Sequence, residues 1–279
     1  VAGSDIAMFG CKKNRGEVAR GKAWAMVTGA ALGIGRQYAE RLAELGYNLL
    51  MVDILEEVKS EAMIIQDHYK VRCDTKVMDL ASQGAARELY AWTTAEGYCF
   101  DVVVNNAGIF SFCDILNTPL ERLERMLLLH DLTLTSICRL YGEDMRKRGK
   151  GRLLNMSSYS IWMPFPGLAA YSASKAYVKS FTEAFAKELR GTGVTATAIC
   201  PAGIATDLYG LSKGLQRFGV KWGILMSPRS CARRALNAMF KGRRVVVPDW
   251  WFRLLIPVCS YLPGFLIRPL RSFTMRWQK

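Results

Sequence analysis

Thr28-Gly29-Ala30-Ala31-Leu32-Gly33-Ile34-Gly35 stands between an apolar run, Trp24–Thr28, and an amphipathic run, Arg36–Leu45, that stops at Gly46. Glycines let a chain turn tightly and bring its backbone close to a ligand. The helix that follows offers unpaired N–H groups and the positive end of its dipole, which suits a pyrophosphate. A strand, a glycine turn and a helix in this order predict a dinucleotide site. A glycine-rich turn with no ligand is the plainer alternative.

The same alternation continues along the chain. Short apolar runs predict strands at Trp24–Thr28, Asn48–Asp53, Lys76–Met78, Asp101–Asn105, Arg152–Met156, Thr195–Cys200 and Arg244–Val247. Leu49–Val52 and Val102–Val104 lack polar alternation, as strands buried on both faces do. Amphipathic stretches lie between them. One begins near Tyr171 and repeats apolar residues at Tyr177, Phe181, Ala184, Phe185 and Leu189 before Gly191. This order predicts a three-layer, doubly wound α/β fold of Rossmann type with a seven-stranded parallel sheet. The chain divides into a polar lead-in over 1–21, which lacks the apolar core of a secretion signal, one domain over 22–249, and a basic, aromatic extension over 250–279.

Asp53 closes the second strand. A carboxylate there accepts hydrogen bonds from ribose hydroxyls and repels a 2′-phosphate. Ala31 and Leu32 carry no positive charge, so NAD(H) is favoured and NADP(H) is the alternative, with Arg36 as the cation that would shift the balance. Further on, Tyr171-Ser172-Ala173-Ser174-Lys175 puts a phenol and an ammonium on one helical face. The ammonium favours the phenolate, and Ser158 upstream can hold a substrate oxygen. Such a set moves a proton between an alcohol and a carbonyl. A helix surface with a snorkelling lysine is the bland alternative.

Taken in order, these motifs resemble the short-chain dehydrogenase/reductase family over residues 22–207. Thr28, Gly29, Gly33, Ile34 and Gly35 match its TGxxxGxG cofactor loop. Asp79-Leu80 matches the pair that lies along the adenine, and Asn105-Asn106-Ala107-Gly108 matches the NNAG motif that borders the cofactor. Asn155-Met156-Ser157-Ser158 matches the strand with the catalytic serine, and Tyr171 with Lys175 matches YxxxK. Pro201-Ala202-Gly203-Ile204-Ala205-Thr206 resembles the motif whose Pro201, Ile204 and Thr206 lie by the nicotinamide. The resemblance implies that Tyr171 is the acid in reduction and the base in oxidation. Lys175 would bind the nicotinamide ribose and lower the tyrosine pKa, and Ser158 would steady the substrate oxygen.

Two positions depart from the family pattern. Its relay asparagine aligns with His130 in Met126–Leu132, and a one-residue slip would place Asp131 there. Imidazole both donates and accepts protons, so His130 is a candidate relay; a histidine that only satisfies helix hydrogen bonds is the alternative. Ala202 stands where glycine is common. The family also implies a homo-oligomer, a dimer or tetramer.

Charge placement bears on partners. The net charge is +14, and after Asp207 fourteen Lys/Arg face one acid, Asp249. The uncharged run Leu254–Ile267 carries Pro257 and Pro263 and is too short and broken to span a bilayer. With Trp250, Trp251, Arg268, Arg271, Arg276 and Lys279 around it, residues 250–279 suit peripheral contact with an anionic membrane surface. Covering the substrate pocket or a subunit interface is the alternative. No nucleic-acid reading motif is present.

Residues 207–227 are rich in apolar side chains, including Leu208, Tyr209, Leu211, Leu215, Phe218 and Trp222, and Met163, Phe165 and Leu168 could add to a wall. An apolar lid favours a lipophilic substrate of steroid, sphingoid or fatty-acyl type. Eight scattered cysteines without CxxC spacing and two histidines argue against a zinc site and for a reducing, cytoplasmic setting. The expectation is an NAD(H)-dependent oxidoreductase of a lipophilic secondary alcohol and its ketone. The alternatives are an NADPH-dependent 3-oxoacyl or ketosphingoid reductase, and a membrane-associated dinucleotide-binding protein with impaired turnover.

Overall fold

The computed structural model describes residues 23–163, 165–205, 213–222 and 225–260. Seven strands form one parallel sheet: β1 (Trp24–Thr28), β2 (Asn48–Asp53), β3 (Cys73–Val77), β4 (Phe100–Asn105), β5 (Gly151–Met156), β6 (Val194–Ile199) and β7 (Val245–Val246). Their spatial order is 3-2-1-4-5-6-7. The chain reverses its direction of travel between β1 and β4. Ligands of such sheets bind at that switch point, beyond the carboxyl ends of the strands.

The strands fall within a residue of their predicted bounds except β3. Lys76–Met78 was expected, and the strand is Cys73–Val77. It is an edge strand of half-buried residues, pairing among the described residues with β2 alone, and Asp74, Thr75 and Lys76 break the apolar run. The inner strands read as expected: β1 and β2 are buried along their whole length. Ala25 and Val27 pack to one face and Met26 to the other.

Helices cover both faces. On one lie α1 (Gly33–Glu44), α2 (Val58–Tyr69) and α8 (Pro228–Phe240), whose Tyr38, Leu42, Ile65 and Met239 meet Val27 and Met51. On the other lie α3 (Ala85–Ala95), α5 (Leu134–Arg148) and α6 (Ala169–Glu188), with Leu89, Ile137, Met145 and Val178 packed on Met26 and Val103. Ser227 caps α8, its hydroxyl accepting from the Ser230 N–H at 3.2 Å, with Pro228 in the first turn. Between α4 (Leu120–Leu127) and α5 the helix widens into a π-turn, Leu128–Thr133. Its phase turns Leu129, His130 and Thr133 inward. The remaining helices are α7 (Lys213–Lys221) and α9 (Trp250–Ser260).

Two buried ties fix α6 against the sheet. Asn105 donates to the Asn155 side chain at 2.8 Å, and Asn155 donates to Thr182 Oγ1 at 2.9 Å. Ser157 Oγ donates to the Lys175 carbonyl at 2.7 Å. α9 also packs on the domain. Phe252 and Ile256 join the cluster of Tyr159, Cys200 and Val247, and Tyr159 Oη donates to the Phe252 carbonyl at 2.8 Å. Residues 261–279 of the expected extension lie outside the described residues. No helix among the described residues is long and apolar enough to cross a membrane.

Candidate active site

A cleft of about 680 Å³ opens at the switch point. Its floor begins at the glycine loop. Gly29 sits at φ +64°, and its N–H donates to the Val52 carbonyl at 2.8 Å. A Cβ on Gly35 would stand 1.8 Å from the Gly29 carbonyl oxygen, so only glycine lets α1 start this close to β1. Thr28 Oγ1 accepts from the N–H groups of Asn106 and Ala107 at 3.0 and 3.1 Å. In return the Asn106 amide donates to the carbonyls of Thr28 and Gly29, both at 3.0 Å. The loops after β1 and β4 are thereby locked together. Gly29, Gly33, Ile34, Asn106, Ala107 and Gly108 line the cleft, whereas Thr28 and Gly35 shape it from beneath. This cradle of close backbone and first helical turn fits a dinucleotide pyrophosphate.

Asp53 and Asp79 stand at one end with Leu80. Asp53 is 8% exposed; its carboxylate accepts from the Ala31 N–H at 2.8 Å and the Leu55 N–H at 3.1 Å. Arg36, the cation able to favour NADP(H), bonds Glu61 of α2 at 2.5 Å and does not line the cleft. Asp79 accepts from the Ala81 N–H and pairs with Arg125 at 2.8 Å. Arg125 lines the cleft and was not foreseen, because nothing in an arginine on α4 marks a partner 46 residues earlier.

At the other end Ser158, Tyr171 and Lys175 border the same cleft, with Pro201 and Ile204. Lys175 Nζ donates to the Met156 carbonyl at 3.0 Å and lies 5.9 Å from the centre of the Tyr171 ring. Burial pushes the Lys175 ammonium down to about 8, against the pull of the Asp131 carboxylate. Ser158 Oγ accepts from the Ser160 N–H at 3.1 Å and heads a 3-10 turn, Tyr159–Trp162. Phe110, also unforeseen, sets its ring edge-on to Tyr171 at 5.1 Å; its only sequence signal is its place two residues beyond Gly108. Ala202 is buried in the Tyr159 cluster, so its methyl finds room where glycine is usual.

Thr206, Leu208, Tyr209, Leu211 and Ile224 lie outside the described residues. Leu215, Phe218, Val220 and Trp222 are exposed and do not line the cleft. Phe165 stacks on Phe112 at 6.3 Å.

The π-turn places His130, not Asp131, in the cleft. The Ile109 N–H donates to His130 Nε2 at 3.0 Å, so that nitrogen carries no proton. Ser174 Oγ donates to the Tyr171 carbonyl at 2.8 Å, which leaves it to accept from His130 Nδ1 at 2.9 Å. The ring is thus the neutral Nδ1–H tautomer with both nitrogens engaged. Burial, and then the Lys175 charge, hold its pKa well below the usual imidazole range. A Cβ on Gly108 would stand 3.0 Å from His130 Nε2, so this glycine makes room for the ring. Asp131 does not line the cleft; burial raises its carboxyl to about 6, and Oδ1 has no partner among the described residues.

This arrangement makes stability depend on pH with a definite sign. The unfolded chain protonates this histidine below about pH 6.5, and the folded chain does not. Stability therefore falls as pH drops through that value, by about 1–2 kcal/mol by pH 5. His130→Asn should lose that share of the acid sensitivity, with Asp131 common to both proteins. Urea midpoints at neutral and acid pH check it; equal slopes for the two proteins would contradict the assignment.

A family model described as short chain dehydrogenase matches residues 23–213. The inactive hydroxysteroid dehydrogenase-like protein 1 of Homo sapiens is 31% identical over 248 residues, covering 87% of this chain and 73% of that protein. The very-long-chain 3-oxoacyl-CoA reductase of Bos taurus is 32% identical over 194 residues, covering 66% of this chain and 60% of that protein. Among solved structures, one of a 7beta-hydroxysteroid dehydrogenase matches with a TM-score of 0.79 and 27% identity, over 88% of this chain and 95% of its own.

Proposed function

This chain belongs to the short-chain dehydrogenase family, and from that premise we propose that it interconverts a lipophilic secondary alcohol and its ketone, with NAD(H) preferred. The cofactor is NAD or NADP. One observation carries the activity: Ser158, Tyr171 and Lys175 border the same cleft as the glycine cradle. When bound, the nicotinamide gives a hydride to the substrate carbon or takes one from it. Ser158 and Tyr171 hold the substrate oxygen. Tyr171 delivers a proton to that oxygen in reduction and removes it in oxidation. Lys175, fixed by the Met156 carbonyl, keeps a positive charge beside the phenol and favours its ionised form.

His130 acts here as a positioning residue. Both its nitrogens are already engaged, so it holds the Ile109 turn against α6 without relaying a proton. That is the one feature behind the reading of impaired turnover, and Ser158, Tyr171 and Lys175 around one cleft oppose it. The relative whose name marks it inactive adds little to that reading, because this chain keeps its tyrosine, lysine and serine around one cleft.

The preference for NAD(H) rests on Asp53 and on the engagement of Arg36 with Glu61. Asp53→Ala removes the charge that repels a 2′-phosphate. The ratio of kcat/KM for NAD over NADP should fall at least about tenfold. Turnover with both cofactors measures it, and an unchanged ratio would count against this assignment. A lipophilic substrate is supported by Ile109, Phe110 and Ile204 around the reacting end and by relatives named for steroid and 3-oxoacyl chemistry. The similarity to the 3-oxoacyl-CoA reductase favours an acyl substrate as the second reading. We further propose a homo-oligomer, cytoplasmic and in peripheral contact with membrane through residues 250–279.

A further inference from the structure

We propose that α7 is an interfacial helix that rests on an anionic lipid bilayer by its exposed aromatic face, a contact separate from the one read into residues 250–279. Phe218 is 56% exposed and Trp222, one residue past the helix, 67%. Their rings lie 5.9 Å apart and form one patch, with exposed Leu215 one turn earlier. A surface helix normally turns its apolar stripe to the core. Here the buried position is Gly219, where a Cβ would stand 2.7 Å from Leu225 Cδ1 and whose carbonyl accepts from the Leu225 N–H at 3.0 Å. Among the described residues of α7, Leu215, Phe218 and Val220 are exposed and Gly219 is buried under the chain that follows the helix.

Charge selects the occupant. Lys213, Arg217 and Lys221 give this segment three cations in nine residues. No acid occurs between Asp207 and Asp249, and Asp249 lies 3.6 Å from Arg234. A short helix with an exposed aromatic and aliphatic patch, three cations and no acid in its sequence matches an anionic lipid surface. A protein partner would more commonly meet a mixed-charge rim. α9 repeats the pattern: Trp251, Leu254 and Val258 are exposed at helical spacing, while Phe252 and Ile256 pack inward. α7 also leaves and rejoins the cleft wall, since Ile204 bridges Met226 and the Met226 N–H donates to the Gly203 carbonyl at 2.9 Å. Seating α7 in the headgroups would bring the mouth of the cleft to the lipid. The docking itself stands without the lipophilic-substrate reading.

Flotation of the full chain with vesicles tests it. Binding is expected on phosphatidylcholine vesicles containing phosphatidylserine, weaker binding on phosphatidylcholine alone, and loss with added salt. Phe218→Glu/Trp222→Glu should lower the partition coefficient at least about tenfold, with an unchanged far-ultraviolet circular dichroism melt. Leu254→Glu, scored separately, reports the α9 face. Wild-type flotation of the α7 double variant would overturn the proposal, as would a wild-type chain that ignores phosphatidylserine. So would a double variant that floats normally but raises KM for a water-soluble ketone, since the face would then cover substrate. A wild-type dimer that the double variant splits, with flotation unchanged, would assign the face to a second copy.

Discussion

Tyr171→Phe should lower kcat/KM by about a hundredfold to ten-thousandfold while the dinucleotide binds as tightly as before. Only the hydroxyl is removed. The ring keeps its place, because it is nearly buried, with Phe110 edge-on at 5.1 Å and His130 at 6.0 Å. The glycine cradle and Asp53 line the same cleft and do not depend on the phenol. Without it the oxygen of the substrate gains or loses its proton through water alone. Steady-state turnover together with a fluorescence titration of NADH separates chemistry from binding. Retained activity would remove Tyr171 from the role of acid and base.

Gly35→Ala should lose dinucleotide binding at least about tenfold and destabilise the fold by about 1–3 kcal/mol. The added Cβ would meet the Gly29 carbonyl oxygen at 1.8 Å and the Asn106 amide nitrogen at 2.6 Å. The first of these is backbone and cannot swing aside, so the start of α1 must move. That displaces the N–H groups facing the pyrophosphate and disturbs the clamp between the loops after β1 and β4. Gly84 is a useful contrast. It sits at φ +81° with open space around it, so alanine there brings only backbone strain, about 1 kcal/mol, and no loss of binding. Thermal melts and NADH titration of both variants check this. Wild-type binding by Gly35→Ala would show that the cradle is not where the dinucleotide sits.

What the sequence could reveal follows from the range of the interactions involved. The glycine turn, Asp53 at the end of β2 and the pairing of Tyr171 with Lys175 are local in the chain, so their spacing already states their geometry. The inner strands were legible because burial on both faces leaves unbroken apolar runs. β3 was misplaced because an edge strand is wetted on one side and its polar residues hide it. The tautomer of His130 was not legible. It depends on the Ile109 N–H, on Ser174 and on the π-turn, which meet only in the fold. The Arg125–Asp79 pair and the edge of Phe110 on Tyr171 are of the same kind. α7 shows the limit from the other side. Its composition marks apolar side chains without their direction, and the structure turns Phe218 and Trp222 away from the cleft they were expected to wall.

The central claim is direct hydride exchange in the cleft bounded by Ser158, Tyr171 and Lys175. Reduction of a hydrophobic ketone with NADH deuterated on its nicotinamide C4 tests it most directly, with the product read by mass spectrometry. The expected product carries one deuterium on the carbinol carbon of the alcohol, and Tyr171→Phe should form the same labelled product about a hundredfold to ten-thousandfold more slowly. Alcohol formed without label by the wild type, from either face of the labelled ring, would contradict it.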